Sequence, residues 1–114
     1  MKILVCLTKA PDTTTKISFT DHDTHFNEQG VQWIINPYDE WYALVRALEL
    51  KEAGLATEIH LMTVGKADTE PVIRKALALG GDEAIRIDGE SRDPLYIAEQ
   101  IAAYVKEQSY ELIL

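Results

Sequence analysis

A chain of 114 residues and 12.8 kDa, 46% hydrophobic and 26% charged, has the size and make-up of one globular domain around a single core. Nineteen acidic against eleven basic side chains leave a net charge of −8, which repels phosphate backbones and excludes general nucleic-acid binding. No apolar run approaches the roughly 20 residues of a membrane span, and one cysteine, Cys6, excludes an internal disulfide scaffold.

Ile3 to Leu7 is a continuous apolar run bounded by Thr8–Asp12, the pattern of a strand buried on both faces of a parallel sheet. It lacks the length and cleavage site of a signal peptide. With the lone thiol, it points to a reducing compartment, read as the bacterial cytoplasm. About two dozen residues follow, too many for a plain connection in an α/β unit. Ile17 and Phe19 alternate with polar neighbours, Asp21-His22-Asp23 reads as a turn, and Phe26 follows, so a small β-hairpin is expected over one end of the sheet.

Asn36-Pro37 predicts an N-cap and a first helical residue, with Asp39 and Glu40 at the positive end of the dipole. Trp41, Leu44, Val45 and Leu48 then form the expected buried stripe, and Gly54 the C-cap. Ile59 to Val64, closed by Gly65, is a second core strand. The next helix opens near Asp68 or Thr69, buries Val72, Ile73, Ala76 and Leu77, and stops at Gly80-Gly81. Ala84–Ile87 is a third strand. Asp93-Pro94 opens a helix that turns Ile97, Ile101, Tyr104 and Val105 inward, and Tyr110–Leu114 is a fourth strand.

Alternating β and α units predict an α/β fold in three layers, a mostly parallel sheet with helices on both faces, as one domain over residues 1–114. Ligands in such sheets bind beyond the carboxyl ends of the strands. Here those are Thr8–Asp12, Gly65–Asp68 and Gly89–Asp93. No phosphate loop is complete there, and no catalytic acid, base or nucleophile has a recognisable local context. Asp21, His22, Asp23 and His25 are metal-ligand types, but neighbours on a ribbon point to opposite faces, so they read as a solvated tip and no metal site is expected. His60 reads as a satisfied histidine of the sheet, and Cys6 as a packed thiol. The Asn36–Asp39 segment has two readings, helix capping alone or a helix start that faces a nucleotide. Its carboxylates suit a ribose hydroxyl or an adenine amino group better than phosphate.

Four segments carry a family resemblance: Lys2–Cys6 with Pro11-Asp12-Thr13 and Lys16-Ile17; Gly30-Val31 with Ile35–Glu40; Glu70–Ala84; and Tyr110–Leu114. In order and spacing they resemble the beta subunit of electron transfer flavoproteins along essentially the whole chain. The resemblance implies an adenine-nucleotide-binding α/β fold and a role in a heterodimeric electron carrier. Its alpha subunit holds most of the FAD and takes electrons from acyl-CoA and other dehydrogenases, while the beta subunit buries AMP or a second FAD. It implies nucleotide contacts at Cys6 and Val64, through backbone groups, and at Asn36, Pro37, Tyr38 and Asp39.

Departures are Thr8, where the family often has a lysine, so that a cation is expected to be missing from the site, and Gly81 in place of alanine. Family members run to roughly twice this length, so the chain is expected to be the N-terminal half of such a subunit. It should then bind nucleotide weakly, and self-associate through an exposed last strand. The other reading, a stand-alone adenine-nucleotide sensor like the universal stress proteins, calls for a glycine-rich phosphate loop near the end, which this sequence lacks.

Overall fold

The computed structural model describes residues 1–114. In chain order it contains β1 (Lys2–Cys6), β2 (Lys9–Pro11), β3 (Phe19–Thr20), β4 (His25–Phe26), β5 (Trp33–Ile35), α1 (Asp39–Glu52) and β6 (Glu58–Gly65). After a 3-10 turn at Ala67–Thr69 come α2 (Glu70–Leu79), β7 (Glu83–Asp88), α3 (Pro94–Val105) and β8 (Leu112–Ile113).

The main sheet is wholly parallel, in the order β7-β6-β1-β8. Its register places Cys6 beside Met62, Leu4 beside Ile113 and Val64 beside Ile87. Successive strand residues face opposite sides, and the burial follows that rule. Ile3, Val5, Ile59 and Leu61 join Leu44 and Ala47 of α1 and Val72, Ile73 and Ala76 of α2 in one core. Leu4 and Met62 are fully buried on the opposite face, on the side where α3 runs. The three layers expected from the sequence are present.

Three details differ from the sequence-based expectation. Helix α1 begins at Asp39 rather than at Pro37, and Tyr38 is its N-cap. The Asn36 carboxamide oxygen accepts the Tyr38 N–H at 3.1 Å, so Asn-Pro closes a side-chain turn ahead of the helix. Val45 lies off the buried stripe, 38% exposed, and Ala47 takes the place in the core instead. Only Leu112–Ile113 of the fourth strand pairs as β-structure, because Tyr110 turns aside to meet His60.

The insertion after β1 forms the expected hairpin, Phe19 facing Phe26 across β3 and β4. Asp21, His22 and Asp23 turn its tip with three consecutive positive φ angles of 52°, 56° and 63°. The ribbon of β2 and β5 is additional: Lys9, Ala10 and Pro11 pair antiparallel with Ile35, Ile34 and Trp33. It carries the chain from the tip of β1 back to the start of α1. Phe26 packs edge-on against both Phe19 and Trp33, which joins the hairpin to the ribbon.

Candidate functional site: a polar cleft at the carboxyl ends of the strands

Two hollows lie at the carboxyl end of the sheet, and their chemistry differs. The first is a polar cleft of about 370 Å³, within the roughly 300–1,000 Å³ range of small-molecule sites. Its walls are Thr8 and Lys9 beyond β1, Thr63–Lys66 at the end of β6, and the Gly89–Ser91 loop beyond β7. Glu28, Asp68, Thr69 and Ile97 complete it. These are the three strand-end surfaces that the sequence singles out, and the fold brings them together. The second is an apolar groove of about 550 Å³ between α3 and β8, lined by Ile101, Val105 and Ile113, with Cys6 among its walls.

The Asn36–Asp39 turn is tied to the cleft through the backbone. The Asn36 N–H donates to the Thr8 carbonyl at 3.1 Å, because β5 runs antiparallel to β2 and delivers Asn36 beside the end of β1. Within the turn, Asn36 Nδ2 donates to Asp39 Oδ1 at 3.2 Å, and the same oxygen accepts the Glu40 N–H at 3.0 Å. Tyr38 is 72% exposed at the outer edge of the turn. Pro37 lies toward a separate hollow, with Ile34, Ile35, Trp41 and Lys75.

Val64 lines the polar cleft. Cys6 lies on the same sheet face, since its register partner Met62 is two residues before Val64, but its side chain lines the apolar groove. Its N–H donates to the Leu114 carbonyl at 2.8 Å, so that amide is already engaged within the sheet. Burial, followed by the nearby Glu40 carboxylate, pushes the Cys6 thiol above its ordinary pKa, which keeps it protonated and unreactive.

Charge in the cleft is arranged differently from what the sequence suggests. Thr8 provides no cation, but its neighbour Lys9 does. The Lys9 ammonium lies 2.9 Å from Asp68 Oδ2 and 4.2 Å from the centre of the Trp33 ring. Lys66 pairs with Glu90 at 2.7 Å across the mouth. The Lys9 hydrogen bond holds the Asp68 carboxyl below its usual range, and the Glu90 hydrogen bond raises the Lys66 ammonium, so each contact favours the charged form of that group. Thr8 itself is bound by Glu40, which accepts its N–H at 2.5 Å and its hydroxyl at 2.8 Å. The Thr8–Glu40 and Lys9–Asp68 partnerships span 32 and 59 residues of sequence and leave no local pattern to read.

His60 is buried and satisfied, with Nδ1 2.8 Å from the Tyr110 hydroxyl and Nε2 3.2 Å from Glu58. It lies at the amino end of β6, away from the cleft. At the hairpin tip, His25 Nδ1 contacts Thr24 Oγ1 at 2.9 Å and Asp21 at 3.4 Å. No three His, Cys, Asp or Glu side chains are grouped to hold a metal ion. No helix is long and apolar enough to cross a membrane.

Residues 23–114 match the family model described as the electron transfer flavoprotein domain. Among curated relatives, the chain is 37% identical over its whole length to the electron transfer flavoprotein subunit beta of Bacillus subtilis, covering 44% of that protein. It is 32% identical to the subunit of the same name from Bradyrhizobium diazoefficiens, over 100% of this chain and 46% of the relative. The human subunit beta is 29% identical, again over 100% of this chain and 46% of its own length. The chain thus spans less than half the length of the curated relatives it matches. With its parallel sheet and strand-end cleft, it belongs to the electron transfer flavoprotein domain family.

Proposed function

We propose that this chain serves as part of an electron transfer flavoprotein beta subunit, and that its polar cleft seats the adenosine portion of AMP or of a second FAD. The carrier pairs with an alpha subunit that holds the main FAD and accepts electrons from acyl-CoA and other flavin dehydrogenases. One observation carries the reading of the site: the Asn36 N–H bond to the Thr8 carbonyl puts the Asn-Pro turn beside a cleft that Val64 also lines. The setting agrees with the rule that open parallel sheets bind ligands beyond the carboxyl ends of their strands.

The residues present fit an adenosine better than a phosphate. Thr63 and Ser91 offer hydroxyls that both donate and accept, whereas both lysines are already paired with carboxylates. The flavin, when bound, supplies the redox chemistry. The residues of this chain bind and orient the nucleoside. Cys6 keeps its thiol protonated and lines the apolar groove, so it serves the ligand as neither base nor nucleophile.

The test is a titration of the 15N-labelled chain with adenosine and with AMP, followed by amide chemical shifts. Saturable, weak binding with shifts concentrated at Thr8, Asn36, Val64 and Lys66 is expected. Shifts confined to Ile101 and Ile113, or none at all, would end this reading of the site. A sub-micromolar AMP affinity would contradict the weak binding expected of this chain.

A further inference from the structure

The cleft holds two lysines and three carboxylates, Glu28, Asp68 and Glu90. Each lysine has its own acidic partner, at 2.9 Å for Lys9–Asp68 and 2.7 Å for Lys66–Glu90, and Glu28 takes part in no ion pair. The nearby Arg86 is committed as well: its guanidinium contacts Asp88 at 2.7 Å, the Gly65 carbonyl at 3.0 Å and Glu70 at 3.4 Å. Both lysines that line the cleft, and Arg86 beside it, are therefore matched by carboxylates, and the whole chain carries −8. A cleft lined by one excess sign focuses that sign's potential on what enters it.

We propose that Asp68 and Glu90 are specificity-determining residues: by occupying Lys9 and Lys66 they reserve the cleft for an uncharged polar group and turn free phosphate away. A phosphate entering here must displace a carboxylate from a lysine and then lie beside that displaced charge and Glu28. An uncharged sugar or base edge displaces no ion pair. The Lys66–Glu90 pair joins the residue after β6 to the loop after β7, so it also spans the entrance. The inference rests on reading the cleft as a nucleoside seat, but its charge logic can fail or hold separately.

The experiment follows Gly65, Lys66 and Gly89 amide shifts in the 15N-labelled chain, at low salt, with inorganic phosphate and with adenosine as separate probes. The unmodified chain should show no saturable response to phosphate at these amides. The double variant Asp68→Asn, Glu90→Gln should show saturable phosphate binding at these amides, at least about tenfold tighter than any response of the unmodified chain, because both lysines are then free to take the anion. Glu49→Gln removes one negative charge from α1, where Glu49 pairs with Arg46, and should not admit phosphate. Where the double variant loses its native spectrum, Glu90→Gln alone, in an exposed loop, is expected to give a smaller gain of the same sign.

Equal phosphate binding by unmodified chain and variants would overturn the proposal. So would a gain in Glu49→Gln as large as in the double variant. If adenosine moves no cleft amide while the phosphate difference stands, the nucleoside reading falls and the charge selection survives. If adenosine binds and phosphate binds equally well without the substitutions, the reverse holds.

Discussion

Asp82 fastens three parts of the chain with one carboxylate. It accepts two hydrogen bonds from the Lys51 ammonium at the end of α1, at 2.5 and 2.6 Å, and a third from the Ile59 N–H of β6 at 2.8 Å. Its own N–H donates to the Ile59 carbonyl at 2.8 Å. The Lys51 bond, then the Ile59 bond, hold its carboxyl below the ordinary range. A carboxyl lowered in the folded state adds stability above the unfolded pKa of about 3.9, and that stability is lost as the pH falls through the folded value. Asp82→Asn keeps an acceptor for Ile59 but loses the charge. It should cost about 1 kcal/mol at pH 7, since the group is partly exposed and screened. The difference from the unmodified chain should shrink as the pH drops below about 4. Urea unfolding at pH 7 and pH 3 checks this; a cost that stays constant between them would show that the ionised carboxylate is not what Lys51 and Ile59 hold. The sequence places Asp82 after a glycine pair, but its partners are 31 and 23 residues away, and periodicity carries no information about them.

At the scale of elements, the helix stops were legible where a backbone rule fixes them, and the helix faces less so. Gly80 ends α2 with φ 140°, and its N–H donates to the Leu77 carbonyl. The Gly-Gly pair announces that stop, because few other residues accept such a backbone. It does not announce that a Cβ on Gly80 would sit 2.7 Å from Leu48 Cδ2, which α1 presses against the same corner. Gly80→Ala therefore meets both backbone strain and a steric clash. It should destabilise the chain by about 1–3 kcal/mol, read from the denaturation midpoint at an unchanged slope. A midpoint within error of the unmodified chain would show that Leu48 and the backbone relax freely there. The Val45 and Ala47 exchange on α1 has a related origin: hydrophobicity favoured the larger residue, while close approach of the helix to the sheet favoured alanine. The β2–β5 ribbon leaves no signal in the sequence, because its three-residue strands are shorter than a pattern needs.

At the scale of the whole molecule, the parallel sheet is legible because its central strands, β1 and β6, are buried on both faces and the strands are separated by helices with readable ends. The site was legible as strand-end surfaces, not as ion pairs. The two sheet edges differ. β7 carries Glu83, Arg86 and Asp88, and such charges discourage another strand. β8 does not: Leu114 spends its N–H on the Leu4 carbonyl and its C=O on the Cys6 N–H, so the backbone of Ile113 before it faces outward. Ile113 is also 49% exposed and borders the apolar groove beside α3. An edge of this kind invites pairing with a second chain, while its two-residue length keeps such pairing weak. Sedimentation of this chain should show concentration-dependent self-association, and Ile113→Lys should reduce it by placing a charge on the edge. A monomer at all concentrations, or association untouched by Ile113→Lys, would mean that this edge does not pair.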